Sequence, residues 1–398
     1  TIMVIGQEPL ADFSATPTSG QVPLTVQFTD QTIDIDGTVV SWNWNFGDGN
    51  TSTNQNPSHT YETYGVYDVI LSATDNDGMT GTETKEDYIT VNYAGPVWYV
   101  SNDGDDSGQG TDDDPLATIG MADYNASDGD TILINEGVYS THALINKELF
   151  IASINYENLD STAISNTELI SIQFMEASSG SILKGISVKN TDSWTAVQIG
   201  TNNGTINVDI ESCHIMNNMQ TGIYIYDQAT VNINNCLIIN NLGNGIGGPE
   251  NSFSTSNLTI NNSEISNNSG VGINSYQQYL TINNSIISNN SEFNDGTQYD
   301  HKAGIYWDYY SSSAGILTLD NVQIINNNGT GLKTNRSYNN NSTLLSNVII
   351  NENKYRGIDG LENATLDSCE ISYNEFGGLK DLTNVDIQNS VISHNTVL

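Results

Sequence analysis

The densest chemistry in the chain lies in SEFNDGTQYDHK, residues 291–302, which runs on into GIYWDYY at 304–310. Asp295, Asp300, His301 and Lys302 stand there beside Tyr306, Trp307, Asp308 and Tyr309. Two carboxylates roughly 5 to 10 Å apart can protonate a leaving group and activate its attacker, as in glycoside cleavage. Aromatic rings beside carboxylates suit a sugar, which offers apolar faces and a polar rim. Asp295, Asp300, His301 and Asp308 are therefore the catalytic candidates. Tyr224, Tyr226, Tyr276, Tyr306, Trp307 and Tyr309 are the carbohydrate-contacting candidates. The competing reading of the same residues is an ordinary long loop with exposed tyrosines.

A second cluster, NDGDDSGQGTDDD at 102–114, holds Asp103, Asp105, Asp106, Asp112, Asp113 and Asp114. Calcium takes six to eight oxygen ligands, which such a loop could supply, and it is the one cofactor expected here. The spacing is not that of an EF-hand, and a solvated turn is the rival reading. Thirteen N-x-[ST] sequons occur, many by chance in a chain so rich in Asn, Ser and Thr.

The elements that would position these residues are visible from residue 204 onward as a repeat. IESCHIMNN, INNCLIINN, INNSEISNN, INNSIISNN, LDNVQIINN, LSNVIINEN, LDSCEISYN and IQNSVISHN align at spacings of 23, 27, 22, 37, 26, 21 and 21 residues. One column is always Ile, from Ile215 to Ile392. One is small, and one is always Asn, from Asn218 to Asn395. A Gly follows in seven of the eight, from Gly222 to Gly378. Short β-rich runs at this period, without helical periodicity, predict one coil of a parallel β-helix per repeat. Successive coils rise by about 4.8 Å, so equivalent side chains stack into ladders. The corner Asn is expected to take the left-handed bend and to bond to the Asn above and below; the Gly is expected to supply a second bend with positive φ. Nine residues past the corner Asn, leaving out about ten extra residues in the fourth coil, runs the column Asp227, Glu250, Gln277, Tyr309, Arg336. Cys213, Cys236 and Cys369 all fall in the small column, as buried small residues. Cys213 and Cys236 neighbour each other closely enough for a disulfide to be an alternative.

Ahead of the coils, residues 9–93 alternate with period two. LTVQFTD and VVSWNWNF are examples, with turn signals every eight to twelve residues, the pattern of a β-sandwich. PLTVQFTD, IDGTVVSWNWNFGDG, HTY and YGVYDVILSATDNDG resemble the PKD domain, an immunoglobulin-like sandwich. The family usually has WDFGDG where WNFGDG stands, so Asn45 replaces an Asp. The resemblance implies a spacer or adhesive module, with Trp42, Trp44 and Phe46 in the core. Tyr93 to Pro96 reads as the linker. From Val97 the chain resembles right-handed β-helices of the pectate-lyase type and their NosD-like repeats. It opens with a YVS strand, the acidic loop, a capping helix at LATIGMADY, then GDTI. Enzymes of that type act on acidic polysaccharides. YDHK also resembles, in part, the Tyr-Asp-His clusters of uronan epimerases, but lacks their full pattern. The two arginines, Arg336 and Arg356, are a poor supply for holding a polyanion.

The expected fold class is all-β: an N-terminal immunoglobulin-like β-sandwich plus a C-terminal right-handed parallel β-helix. The expected boundaries are an apolar arm at 1–8, the sandwich at 9–93 and the β-helix at 97–398. Within the last, the acidic loop and capping helix take 97–130, irregular coils 131–203 and eight regular repeats 204–398.

Net charge is −37, from 47 Asp and Glu against ten Lys and Arg. That excludes nucleic acid and anionic membrane surfaces as partners. No apolar run is long enough to span a bilayer. An extracellular or cell-surface location is expected. Two ends look sticky: Thr1, Ile2, Met3, Val4 and Ile5 at the start, and Ile387, Val391, Ile392, Val397 and Leu398 at the finish. An open coil end exposes apolar columns and unpaired backbone. The leading expectation is a structural protein, not an enzyme, whose copies associate head to tail into a filament, sheath or surface array. A secreted carbohydrate-binding or polysaccharide-cleaving protein is the alternative, and a monomeric adhesin or surface protein processed from a larger chain is the third.

Overall fold

The computed structural model describes residues 6–63, 65–92, 95–157, 161–189, 195–201, 204–226, 228–249, 256–290, 303–309, 314–334 and 341–396. The chain divides into two compact units, Thr1–Gly95 and Pro96–Leu398.

The first unit is a β-sandwich. One sheet has three strands, Phe13–Thr16, Leu24–Asp30 and Ser58–Tyr61. The other has five, Ser19–Gln21, Val39–Asn45, Thr51–Ser52, Gly65–Asp75 and Thr80–Asn92. Alternation does what period two requires: Leu24, Val26 and Phe28 are buried while Thr25, Gln27 and Thr29 are exposed. Trp44 and Phe46 lie in the core with Phe13, Phe28, Tyr61 and Leu71. Trp42 packs on its flank, donating its indole N–H to Asp30 at 2.7 Å.

The second unit is a right-handed parallel β-helix. Among the described residues, three parallel sheets of 12, 11 and 10 strands run along it. The first runs from Val97–Val100 to Thr383–Gln388, the second from Gly137–Tyr139 to Val391–Ser393, the third from Ala143–Ile145 to Leu379–Lys380. The Ile column stacks in register through Ile215, Ile238, Ile265, Ile287, Ile324, Ile350, Ile371 and Ile392. Within 131–203 a helix at Ser161–Asn166 and a 3-10 turn at Glu176–Ser178 interrupt the coils, yet the described strands keep the stacking. Thr131–Ile134, Phe150–Ser153 and Ser181–Lys184 already stack as neighbours in the first sheet. Pairing fixes the strands, and differences in coil length are taken up at the turns.

The corners differ from expectation in two ways. The left-handed residue is not the ladder Asn but the one before it, as at Asn217 (φ 58°), Asn240 (58°) and Asn267 (56°). The ladder Asn is buried and spends its amide between rungs: Asn268 Nδ2 donates to Asn290 Oδ1 at 2.9 Å and to the Ile238 carbonyl at 3.0 Å. Nor does the Gly column supply positive φ. It is glycine for space. A Cβ on Gly245 would stand 2.6 Å from the Gly272 carbonyl, 2.6 Å from Ile265 Cγ2 and 2.9 Å from Asn268 Nδ2.

The predicted capping helix forms over Ile119–Asn125, with Ile119 and Ala122 buried. Thr118 caps its start, accepting from the Met121 N–H at 3.2 Å. Lys147 Nζ donates to the carbonyls of Tyr124 and Ala126 at its other end, as a cation near a helix C-terminus should.

Candidate functional site

The candidate residues that can be placed lie on the third sheet. Its outward column passes through Tyr224 and Gly247, then Asn274, Tyr306, Lys333, Asp359 and Lys380. The Tyr224 and Tyr226 rings meet edge to face at 5.0 Å, both half-buried. Two and three coils on, Tyr276 and Tyr306 are 4% exposed and pack with Ala303 and Val271. Their rings lie 6.1 Å apart. The Tyr306 hydroxyl donates to Asp308 Oδ2 at 3.0 Å.

Trp307 and Tyr309 are not on that face. Each is 2% exposed. Trp307 aligns with Ser275 and Thr334, on the inward side, and donates its indole N–H to the Gln277 carbonyl at 3.0 Å. Gly315 leaves them room: a Cβ there would stand 2.7 Å from the Tyr309 ring and 2.9 Å from the Trp307 ring. Strand alternation decides this. Ile305 points in, so Tyr306 points out and Trp307 in again. That reasoning was open to the sequence, since Ile305 follows a Gly of the repeating column.

Asp295, Asp300 and His301 lie outside the described residues, as do Lys302, Asp227, Glu250 and Arg336. So do Thr1, Ile2, Met3, Val4, Ile5, Val397 and Leu398. Asp308 is thus the one member of the catalytic set whose place is described.

The acidic loop divides its six aspartates between two jobs. Asp106 takes the backbone N–H groups of Ala117 and Thr118 at 3.0 and 2.8 Å, holding the start of the capping helix. Asp105 takes the Ser107 N–H and hydroxyl, both at 2.8 Å, and these bonds hold its carboxyl below the usual range. Asp114 takes the Gln109 N–H at 2.8 Å. Asp103, Asp112 and Asp113 are exposed. Among the described residues no group of three or more His, Cys, Asp or Glu side chains could hold a metal ion. Three of the loop's six carboxylates, Asp105, Asp106 and Asp114, thus accept backbone N–H groups.

Cys213, Cys236 and Cys369 are free and buried. Cys213 and Cys236 stack on adjacent coils without a disulfide; the Cys213 N–H reaches the Cys236 sulfur at 3.4 Å. Burial pushes the Cys236 thiol well above its ordinary pKa, so it behaves as a small apolar filler.

The structure also brings together a group the sequence reading passed over. Tyr355 and Phe376 stack at 5.2 Å with 20° between ring planes, 36% and 42% exposed. Each stands two residues past a ladder Asn, Asn353 and Asn374, so the repeat alignment could have paired them. Lys354 is exposed beside them. Arg356 approaches Asp359 at 3.8 Å; Lys380 approaches Asp359 at 3.7 Å and Asp381 at 3.2 Å. Considering only the two arginines concealed this gathering of Lys and Arg.

A family model described as the PKD domain matches residues 6–91. Residues 6–91 are a PKD domain. Among solved structures, the PKD1 domain of Vibrio anguillarum Epp is 34% identical over 22% of this chain and 99% of its own, with a TM-score of 0.20. Pectate lyase Pel9A is 14% identical over 75% of this chain and 79% of its own, TM-score 0.36. The Azotobacter vinelandii mannuronan C-5 epimerase AlgE4 A-module is 13% identical over 70% of this chain and 94% of its own, TM-score 0.41. No curated protein matches the chain.

In the PKD domain, the departure at Asn45 keeps a turn: Asn45 Oδ1 accepts from the Gly47 N–H at 3.0 Å. His59 lies over Phe46 at 4.2 Å and bonds to Asp48 at 2.7 Å. Burial alone would raise the Asp48 pKa. Hydrogen bonds from Asn50 and His59 outweigh it and hold the carboxyl below its ordinary value. These are structural roles, and fold by itself assigns no activity. No helix among the described residues is long and apolar enough to cross a membrane.

Proposed function

We propose that this chain is a structural protein of the cell exterior whose copies join end to end. The supporting observation is the stacking itself: equivalent strands pair coil on coil in three parallel sheets, a mode of pairing that a strand edge of a second copy can extend. On the last described rung Ile387 and Ile392 stack in register on Leu366 and Ile371, and Val391 stacks on Glu370 in an outward column. The acidic, Asn- and Thr-rich composition and the PKD domain suit an extracellular setting. Analytical ultracentrifugation and negative-stain microscopy of the full chain test this. Assemblies that lengthen with protein concentration are expected, and a monodisperse single copy at every concentration would sink the proposal.

A second reading is favoured by the Tyr224–Tyr226 pair, whose rings remain partly open on the same sheet as the Tyr306–Asp308 contact, three coils away. In this reading the third sheet lays a polysaccharide chain along its outer face. Affinity electrophoresis through gels carrying neutral or uronic-acid polymers is expected to retard the protein, and Tyr224→Ala with Tyr226→Ala to release it. Parent and variant migrating alike in every gel would rule this reading out.

A further inference from the structure

We infer that the corner carrying Tyr355, Tyr373 and Phe376 is a binding site for an uncharged hexose polymer. It requires no end-to-end assembly, and it lies apart from the third-sheet face of the second reading. Asp359, the third-sheet residue next to this corner, is five coils from Tyr224 in register, about 24 Å.

The repeat itself shows what this corner needs in order to fold, and these coils depart from it in two columns. The residue before the ladder Asn has positive φ in every regular coil, and it is Asn in the first five, from Asn217 to Asn326. In the last three it is Glu352, Tyr373 and His394, still at φ 57°, 56° and 54°. Asn tolerates the left-handed bend, whereas a bulky side chain there is disfavoured. The second residue past the ladder Asn is Gln220, Gly243, Gly270 and Gly329 in the earlier described coils, then Tyr355 and Phe376. Backbone pairing carries that column through: the Tyr355 N–H donates to the Gly329 carbonyl at 3.1 Å, and the Phe376 N–H to the Tyr355 carbonyl at 2.9 Å. The rings that break the pattern stay on the surface. Tyr373 is 55% exposed and stacks on His394 at 4.9 Å with 8° between ring planes. Tyr355 and Tyr373 each have a described coil on both sides, so theirs is not the exposure of an open end. A local rule broken without a gain in burial marks residues kept for binding rather than for folding.

Charge decides the class of ligand. Three cations, Lys354, Arg356 and Lys380, stand among four carboxylates at this corner. Asp359 pairs with Arg356 at 3.8 Å and with Lys380 at 3.7 Å, and Asp381 pairs with Lys380 at 3.2 Å. The other two, Glu352 and Glu375, are exposed beside the rings. Three against four leaves the corner close to neutral, so it offers no strong field to an ion, and the chain's net charge of −37 repels a polyanion. Flat rings with donors and acceptors at their rim suit an uncharged sugar, which lays its C–H face on a ring and turns its hydroxyls to the rim. A partner protein fits the corner less well. Two coil rises span about 10 Å. A stable protein–protein contact covers roughly 800 Å² on each partner, far more than a corner of that height provides.

The test is affinity electrophoresis of the full chain through gels cast with glucan, mannan or galactan and, separately, with a uronic-acid polymer. The parent is expected to be retarded in at least one neutral gel and to run freely in the uronic-acid gel. Two variants return the repeat's own residue types to the corner: Tyr373→Asn, and Tyr355→Gln with Phe376→Gln. Both are expected to lose the retardation while circular dichroism shows the fold retained. Tyr373→Asn is also expected to melt no lower than the parent, because Asn accepts the left-handed bend. Tyr224→Ala with Tyr226→Ala is the contrast, and it stays retarded when this corner holds the polymer. Loss of retardation in that variant alone assigns the sugar to the third sheet and overturns the inference. A parent that runs freely in every neutral gel overturns it too, as does retardation that persists in both ring variants. Sedimentation of the same proteins covers a second copy as the occupant: self-association that disappears with the rings, without any retardation in the parent, replaces the sugar by another copy of this chain.

Discussion

Replacing Asn353 by alanine is expected to lower stability by about 3 to 5 kcal/mol, one of the largest losses available to a surface-to-core scan of this chain. Asn353 is fully buried. Its Oδ1 accepts from the Asn327 N–H and from Asn327 Nδ2, both at 3.0 Å. Its Nδ2 donates to the Ile324 carbonyl at 2.9 Å and to Asn374 Oδ1 at 3.0 Å. Alanine removes four hydrogen bonds to buried groups on the two flanking coils, and each group left unsatisfied costs roughly 1 to 3 kcal/mol. The control is Asn384→Ala. That side chain also bonds between coils, to Asn363 at 2.7 Å, but at an exposed site where water can replace it. Chemical denaturation followed by circular dichroism separates the two. A loss at Asn353 no greater than at Asn384 would show that the buried ladder is not what holds the coils in register.

Gly357→Ala is expected to cost about 3 kcal/mol or more, although it adds a single methyl group. The new Cβ would stand 2.5 Å from Ile371 Cγ2, 2.7 Å from the Gly378 carbonyl and 2.9 Å from Asn374 Nδ2. The carbonyl is paired in the sheet and the amide belongs to the ladder, so neither can give way. Gly120→Ala should move the other way by up to about 1 kcal/mol. Gly120 lies inside the capping helix, and a Cβ there meets nothing within 4 Å. Thermal unfolding of the two variants should therefore shift in opposite directions. A neutral Gly357→Ala would mean that the coils can slide apart by several tenths of an ångström without cost.

Much of the architecture was legible in the residues. The Ile, Asn and small columns of the repeat are the ladders of the β-helix. The buried cysteines fill the small column. LTVQFTD alternates in the sandwich as it does on the page, and the acidic loop is followed by the helix that LATIGMADY promised. The chemistry was less legible. Trp307 and Tyr309 read as a sugar platform and are core. The corner Asn forms the ladder expected of it but leaves the bend to the residue before it, and the following Gly, read as a second bend, is instead a gap that lets the ladder through. Tyr355 and Phe376 were not read as a pair, although they stack on the surface with Arg356 and Lys380 nearby in ion pairs to Asp359.

The division has a physical cause. Which residues point inward along a strand, and which recur coil after coil, depends on local period and composition, and those are properties of the chain alone. Packing side chains by period two and stacking coils by repetition therefore needed no coordinates. Whether a tyrosine faces solvent or core after an insertion, whether an aspartate turns to its own backbone or outward, and which cations end up beside which rings depend on register between coils tens of residues apart. Only the folded stack sets that register, so only the tertiary structure could separate the side chains left on the surface from those that fill the interior.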